Sequence, residues 1–180
     1  MKLISCTIEN FGKLNNVTYD FSGECNTICE DNGWGKSTLA SFIRVMFYGF
    51  KNESKKKLVD KERNRLMPWQ KGVYGGEIVF ETGGVVYSLR RTFGKKQVDD
   101  EFLLVRKDTN VECDDFSCDI GEELFKIDAQ SFERTVFIGQ SDCVTATTDS
   151  INAKIGNLAD NTDDINNFET AVGRLTAVLN

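Results

Sequence analysis

Apolar and polar residues alternate at the start of the chain. Ile4, Cys6 and Ile8 fall on one side of a first run, and Val17, Tyr19 and Phe21 on one side of a second. A period of two predicts paired strands over residues 2–9 and 17–21. After the turn at Ser22 and Gly23, the short apolar stretch Thr27 to Cys29 reads as a strand leading into Glu30-Asp31-Asn32-Gly33-Trp34-Gly35-Lys36-Ser37-Thr38. Beyond that loop the period changes. Leu39, Phe42, Ile43, Met46 and Phe47 recur at helical spacing, which predicts a helix with one buried stripe, closed by Gly49. The order is strand, glycine-rich loop, helix.

Residues 51–65 carry Lys51, Lys55, Lys56, Lys57, Lys61, Arg63 and Arg65 against Glu53, Asp60 and Glu62, a run expected to be a solvated loop. Two alternating runs, Glu77 to Glu81 and Val85 to Phe93, flank Thr82-Gly83-Gly84 and predict a β-hairpin; Phe102 to Lys107 adds a third strand. Ile120, Leu124 and Ile127 suit a short helix, Asp128 a cap for a further turn through Phe132, and Thr135 to Ile138 a buried strand ending at Gly139-Gln140. Residues 145–167 are rich in Asp, Asn and Thr. Ile165, Phe168, Val172, Leu175 and Leu179 then mark one helical face, a docking helix or the first turns of a coiled coil.

With 180 residues, 40% of them hydrophobic, the chain can bury roughly 70% of the surface that its unfolded form exposes. A net charge of −6 excludes a wholly cationic surface for nucleic acid, so a DNA contact is confined to a local patch such as Lys51 to Arg65. Neither a signal-like start nor a membrane-length apolar run is present, so the expectation is a cytoplasmic protein with no membrane partner. The six cysteines include no Cys-x-x-Cys pair and there is no histidine, so free thiols are expected rather than a zinc site. Without an imidazole base, metal and electrostatic mechanisms are left.

The chemistry concentrates at Asn32, Gly33, Trp34, Gly35, Lys36, Ser37 and Thr38. In a glycine-rich loop successive N–H groups turn inward, and the helix that starts there adds the positive end of its dipole, so the segment cradles phosphate. In such a P-loop Lys36 reaches the β- and γ-phosphates of ATP, and the Ser37 hydroxyl sits on Mg²⁺. One position departs from the pattern: Glu30, followed by Asp31, stands where the first glycine belongs. Like charges about 5 Å apart at an effective dielectric near 20 repel by about 3 kcal/mol, so both carboxylates are expected to point away from the nucleotide or to be paired.

With these residues in view, the chain resembles the N-terminal half of the ATPase head of SMC-like and SbcC-like DNA-repair proteins, most closely the bacterial YhaN-like group. The resemblance runs from Ile8-Glu9-Asn10-Phe11-Gly12-Lys13, through Asn32 to Thr38 and the helix to Tyr48-Gly49, to Phe132-Glu133-Arg134-Thr135-Val136-Phe137-Ile138-Gly139-Gln140. It implies that Gln140 is the Q-loop residue that touches Mg²⁺ and the attacking water, which makes Lys36 and Gln140 the catalytic candidates and Ser37 and Gln140 the metal candidates. It also places Asn10 to Lys13 near the nucleotide, with Lys13 as the nearest cation. Trp34 occupies a variable loop position, as suited to packing on the protein as to contacting ligand. Trp69, beside Pro68, is assigned packing.

A hydrolytic head also needs an apolar strand ending in Asp-Glu and a Ser-Gly-Gly signature, and neither occurs in this sequence. The resemblance implies that they lie beyond a long coiled coil, with residues 1–150 as the N-terminal lobe and 151–180 as a linker and coil start. The implied partners are the chain's own C-terminal half, a second head in an ATP-dependent homodimer, and DNA. The expected fold is α/β: a P-loop NTPase, ABC-ATPase-like lobe with a parallel central strand, joined to an antiparallel β subdomain, its C-terminal helix leading toward a coiled coil. ATP hydrolysis in DNA repair is the expected function, a nucleotide-gated dimerisation switch the alternative, and a P-loop small-molecule kinase a third class that the Gln140 motif disfavours.

Overall fold

The computed structural model describes residues 1–21, 23, 25–51 and 61–137. Two compact units divide the chain, Met1–Lys126 and Ile127–Asn180.

The first unit is built on one antiparallel sheet. Strand β1 (Lys2–Phe11) pairs with β2 (Leu14–Asp20), and Cys6 faces Tyr19 across that ladder. On its other side β1 pairs with β3 (Gly75–Thr82), which turns through Gly83-Gly84 into β4 (Val85–Thr92). Strands β5 (Glu101–Arg106) and the two-residue β6 (Val111–Glu112) complete the spatial order β2-β1-β3-β4-β5-β6. The alternation read from the sequence is the alternation of this sheet. Cys6, Ile8, Ile78, Phe80, Leu89 and Leu104 are buried on one face, while the other carries the Thr7–Thr18 hydrogen bond and the Glu9–Arg90 and Glu77–Lys107 ion pairs.

Helix α1 (Lys36–Tyr48) covers the apolar face with Leu39, Phe42, Val45, Met46 and Phe47. Edge-to-face aromatic contacts fix its seat: Phe42 lies 5.2 Å from Phe11 and Phe47 lies 5.7 Å from Phe80, centroid to centroid. The helix ends where expected, with the Gly49 N–H donating to the Val45 carbonyl. Helix α3 (Ile120–Phe125) packs on its C-terminal end, Phe125 meeting Phe47 at 5.5 Å.

Three expectations are corrected. Thr27 to Cys29 forms no strand, and every ladder among the described residues is antiparallel. A parallel strand needs cover on both faces, whereas Thr27 and Cys29 are exposed and Ile28 only half-buried. The basic stretch is not wholly a solvated loop either, because Glu62–Arg65 forms the short helix α2, in which Glu62 and Arg63 are buried. Arg44 of α1 donates to the Glu62 carboxylate, which also accepts the Lys51 N–H at 2.8 Å. Burying both charges is tolerated because each has a partner and a hydrogen bond.

The third correction lies in the second unit, whose described part holds helix α4 (Ala129–Thr135). Asp128 caps it as expected, accepting the Ser131 N–H at 2.7 Å. The helix then runs on through Thr135, whose hydroxyl donates to the Ser131 carbonyl, and the N–H groups of Val136 and Phe137 both donate to the Phe132 carbonyl. Thr135 to Phe137 is therefore a helix end and not a strand. Gln140 and the face from Ile165 to Leu179 lie outside the described residues.

Candidate nucleotide-binding site

Gly35 and Lys36 mark the passage from loop to helix, and the first turn of α1 has neither a side-chain cap nor an acidic residue. Its leading N–H groups are therefore free of any competing carboxylate, and the positive end of a 13-residue helix faces outward at Lys36 and Ser37. The Lys36 ammonium is folded back on the loop it follows, donating to the Glu30 carbonyl and, at 3.0 Å, to the Asp31 carbonyl. Those carbonyls hold the cation beside the helix end, where an incoming phosphate can take it over as a charge-assisted partner.

The turn between β1 and β2 is pressed against this corner. Gly12 has φ +56, and a side chain there would begin 2.9 Å from Thr38 Cγ2; Gly35 has φ +126, and a side chain there would begin 2.9 Å from Leu14 Cδ2 and 3.5 Å from Lys13 Cε. Only glycine allows both the backbone conformation and the approach. Lys13 is thereby brought beside Gly35. Trp34 turns the other way, with its indole packed edge-on against Tyr19 at 5.9 Å, so it anchors the loop to β2.

Between the turn, the start of α1 and the chain after α2 lies a cleft of about 680 Å³, a volume suited to a nucleotide. Gly12 and Lys13 line it from the turn, Ser37, Thr38 and Ser41 from the helix, and Arg65, Leu66, Trp69 and Gln70 from the third side. Glu30 and Asp31, both exposed, do not line it. The Tyr19 phenol is raised above its ordinary range by burial first and by the Glu30 charge second, so part of the Glu30 field falls on β2. Asn32, Gly33, Lys36 and Ser37 are exposed.

One sequence assignment does not hold. Trp69 is 98% exposed and packs on nothing, although it lines the cleft. Arg65 and Gln70 were not singled out for the nucleotide; their place depends on α2 and its buried ion pairs, which local patterning does not reveal.

Comparison with known proteins gives the family. Residues 5–177 match the AAA domain family, and the chain belongs to that family, a group of P-loop ATPases that occurs in SMC-like proteins. It is also similar, at 35% identity over 82 residues, to the uncharacterized protein YhaN of Bacillus subtilis (strain 168). That similarity covers 45% of this chain and 8% of the length of YhaN. Among the described residues, no helix is long and apolar enough to cross a membrane.

Proposed function

We propose that this chain binds Mg-ATP at the N-terminus of α1 and forms the nucleotide-binding lobe of an SMC-like ATPase. The observation that carries the proposal is the uncapped first turn of α1, whose Ser37 and Thr38 line the cleft with Lys13 of the turn, while the neighbouring Lys36 ammonium, outside the lining, is held on the Glu30 and Asp31 carbonyls. Asn32 to Gly35 supply the loop amides, Lys36 the cation for the β- and γ-phosphates, and Lys13 a second cation at the turn. The residues fit a magnesium ion as well: Ser37 offers one hydroxyl in the cleft, and Mg²⁺ characteristically takes one or two protein oxygens together with phosphate and water. Held by the Ser37 hydroxyl, such an ion would supply neutralisation of phosphate charge.

Hydrolysis requires an acidic pair to orient water, and no strand of four apolar residues in this sequence runs into Asp-Glu. In this reading the pair comes from a C-terminal half, Gln140 acts beside it, and a second head closes over the nucleotide. The cycle of closure and release then moves DNA in repair or DNA metabolism. Glu30 at the first glycine position favours a second reading, in which ATP drives dimerisation with little or no turnover.

The test is Mg-ATP binding and phosphate release, each measured with Lys36→Ala alongside. Binding that disappears with Lys36→Ala supports the P-loop reading, and binding indifferent to that change would sink it. Phosphate release by the protein joined to its C-terminal half separates an ATPase from a switch.

A further inference from the structure

Two stapled ends hold the segment 67–72 over the cleft. At one end the Gly12 N–H donates to the Leu66 carbonyl at 2.6 Å, and Leu66 itself is buried. At the other end Asn10 Nδ2 donates to the Val73 carbonyl at 2.9 Å, while Gly72 lies so close that a side chain there would begin 2.6 Å from the same nitrogen. The staples are Asn10 near the end of β1 and Gly12 in the turn that follows it and abuts the P-loop. Trp69, midway between them, is therefore an indole on a backbone tied down at both ends, and it is almost wholly in water. The other tryptophan of the chain is packed on Tyr19, so exposure is particular to this one.

The cleft lined by Trp69 begins at Ser37 and runs along α1 to Ser41, a distance of about 6 Å at 1.5 Å per residue. Phosphate chemistry is concentrated at the Ser37 end. The same cleft is lined by an aromatic face, the Gln70 amide and the Arg65 guanidinium, which is 70% exposed. A flat π-surface beside an amide that both donates and accepts is the chemistry that receives a heteroaromatic base.

We propose that Trp69 is the base platform of this site: it stacks on the purine of a nucleoside triphosphate whose phosphates are held at Lys36, and Gln70 meets the edge of the base. This rests on the nucleotide-binding reading above and adds the residue that tells a nucleotide from a bare polyphosphate.

The experiment measures dissociation constants of the 180-residue chain for Mg-ATP and for Mg-tripolyphosphate, which has the phosphates and no base, in the wild type, Trp69→Ala, Trp69→Phe and Lys36→Ala. Trp69→Ala is expected to weaken Mg-ATP about tenfold, within the range of base–aromatic stacking, and to leave tripolyphosphate unchanged. Trp69→Phe should keep most of the affinity. In a Trp34→Phe background, which leaves Trp69 as the sole tryptophan, Mg-ATP should quench indole emission and tripolyphosphate should not. Equal affinity of Trp69→Ala and wild type for Mg-ATP, with Lys36→Ala inactive, would overturn the platform and leave the phosphate site standing. An equal loss for both ligands in Trp69→Ala would overturn it too, as a disturbance of the loop. Absence of binding by the wild type to either ligand would remove the nucleotide reading and the platform together.

Discussion

Arg63 sets one guanidinium nitrogen 2.7 Å from Oδ1 of Asp100 and the other 2.8 Å from Oδ2, a fork-on-fork ion pair between residues 37 apart in the sequence. The same guanidinium donates to the Gly94 carbonyl at 3.1 Å and lies over the Phe50 ring at 4.5 Å, while the Arg63 carbonyl accepts the Tyr74 hydroxyl. The pair ties α2, and with it the wall of the cleft that carries Arg65 and Trp69, to the connection between β4 and β5.

Asp100→Asn is therefore expected to destabilise the fold. It preserves shape but leaves a guanidinium that is 2% exposed without its anion. Breaking a fully buried pair costs about 3–5 kcal/mol; Asp100 is 24% exposed, so water replaces part of the loss and about 2 kcal/mol is expected. Urea unfolding followed by circular dichroism measures it, and a midpoint equal to wild type would show that the clamp carries no stability.

Gly12→Val tests the contact between the β1–β2 turn and the P-loop helix. A left-handed backbone at a β-branched residue costs about 1–2 kcal/mol, and the new Cβ would begin 2.9 Å from Thr38 Cγ2. The variant should melt several degrees lower and bind Mg-ATP more weakly. A normal melt with normal affinity would mean that the turn has room to shift without cost.

How much of this was legible in the sequence depends on how far apart the cooperating residues lie. The β3–β4 hairpin was readable because period-two alternation flanks a Gly83-Gly84 turn, and α1 because its stripe and its Gly49 stop are local signals. Glu62 and Arg63 were misread because a charged run looks solvated when its partners, Arg44 and Asp100, are 18 and 37 residues away. Trp69 was misread for the opposite reason, since an indole beside a proline suggests burial and only the fold shows it in water. The apolar Val136 and Phe137 suggested a strand, but the Asp128 cap had already started a helix.

Cys6 is wholly buried between sheet and helix, and burial pushes its thiol up to about 12. At pH 8 iodoacetamide should therefore modify the exposed Cys25, Cys29 and Cys118 while Cys6 stays intact until the protein unfolds. The linkage has a definite sign. The folded value lies above the ordinary 9.0, so the unfolded chain ionises first. Stability from the neutral thiol is complete below about pH 9 and is lost as pH rises toward 12. Cys6→Ala should flatten that alkaline decline, and peptide mapping that found Cys6 alkylated in native protein would contradict its burial.

Glu30→Gly probes the departure from the P-loop pattern. The Lys36 ammonium is held by the Glu30 backbone carbonyl, which glycine keeps, so the substitution removes a carboxylate without removing a ligand of the lysine. That carboxylate is exposed and does not line the cleft, so water screens it and the full repulsion of about 3 kcal/mol at 5 Å is an upper bound. Mg-ATP affinity should thus be equal or tighter, by less than about tenfold. The Tyr19 phenol, now raised by burial and by Glu30, should titrate at lower pH in the variant, which a spectrophotometric titration of the tyrosines resolves. Salt supplies the internal control: any gain in affinity should shrink as ionic strength rises, because a screened charge is its cause. A large loss of affinity in Glu30→Gly would instead make the Glu30 carboxylate a ligand of the nucleotide or its metal, and the loop would belong to a different phosphate chemistry.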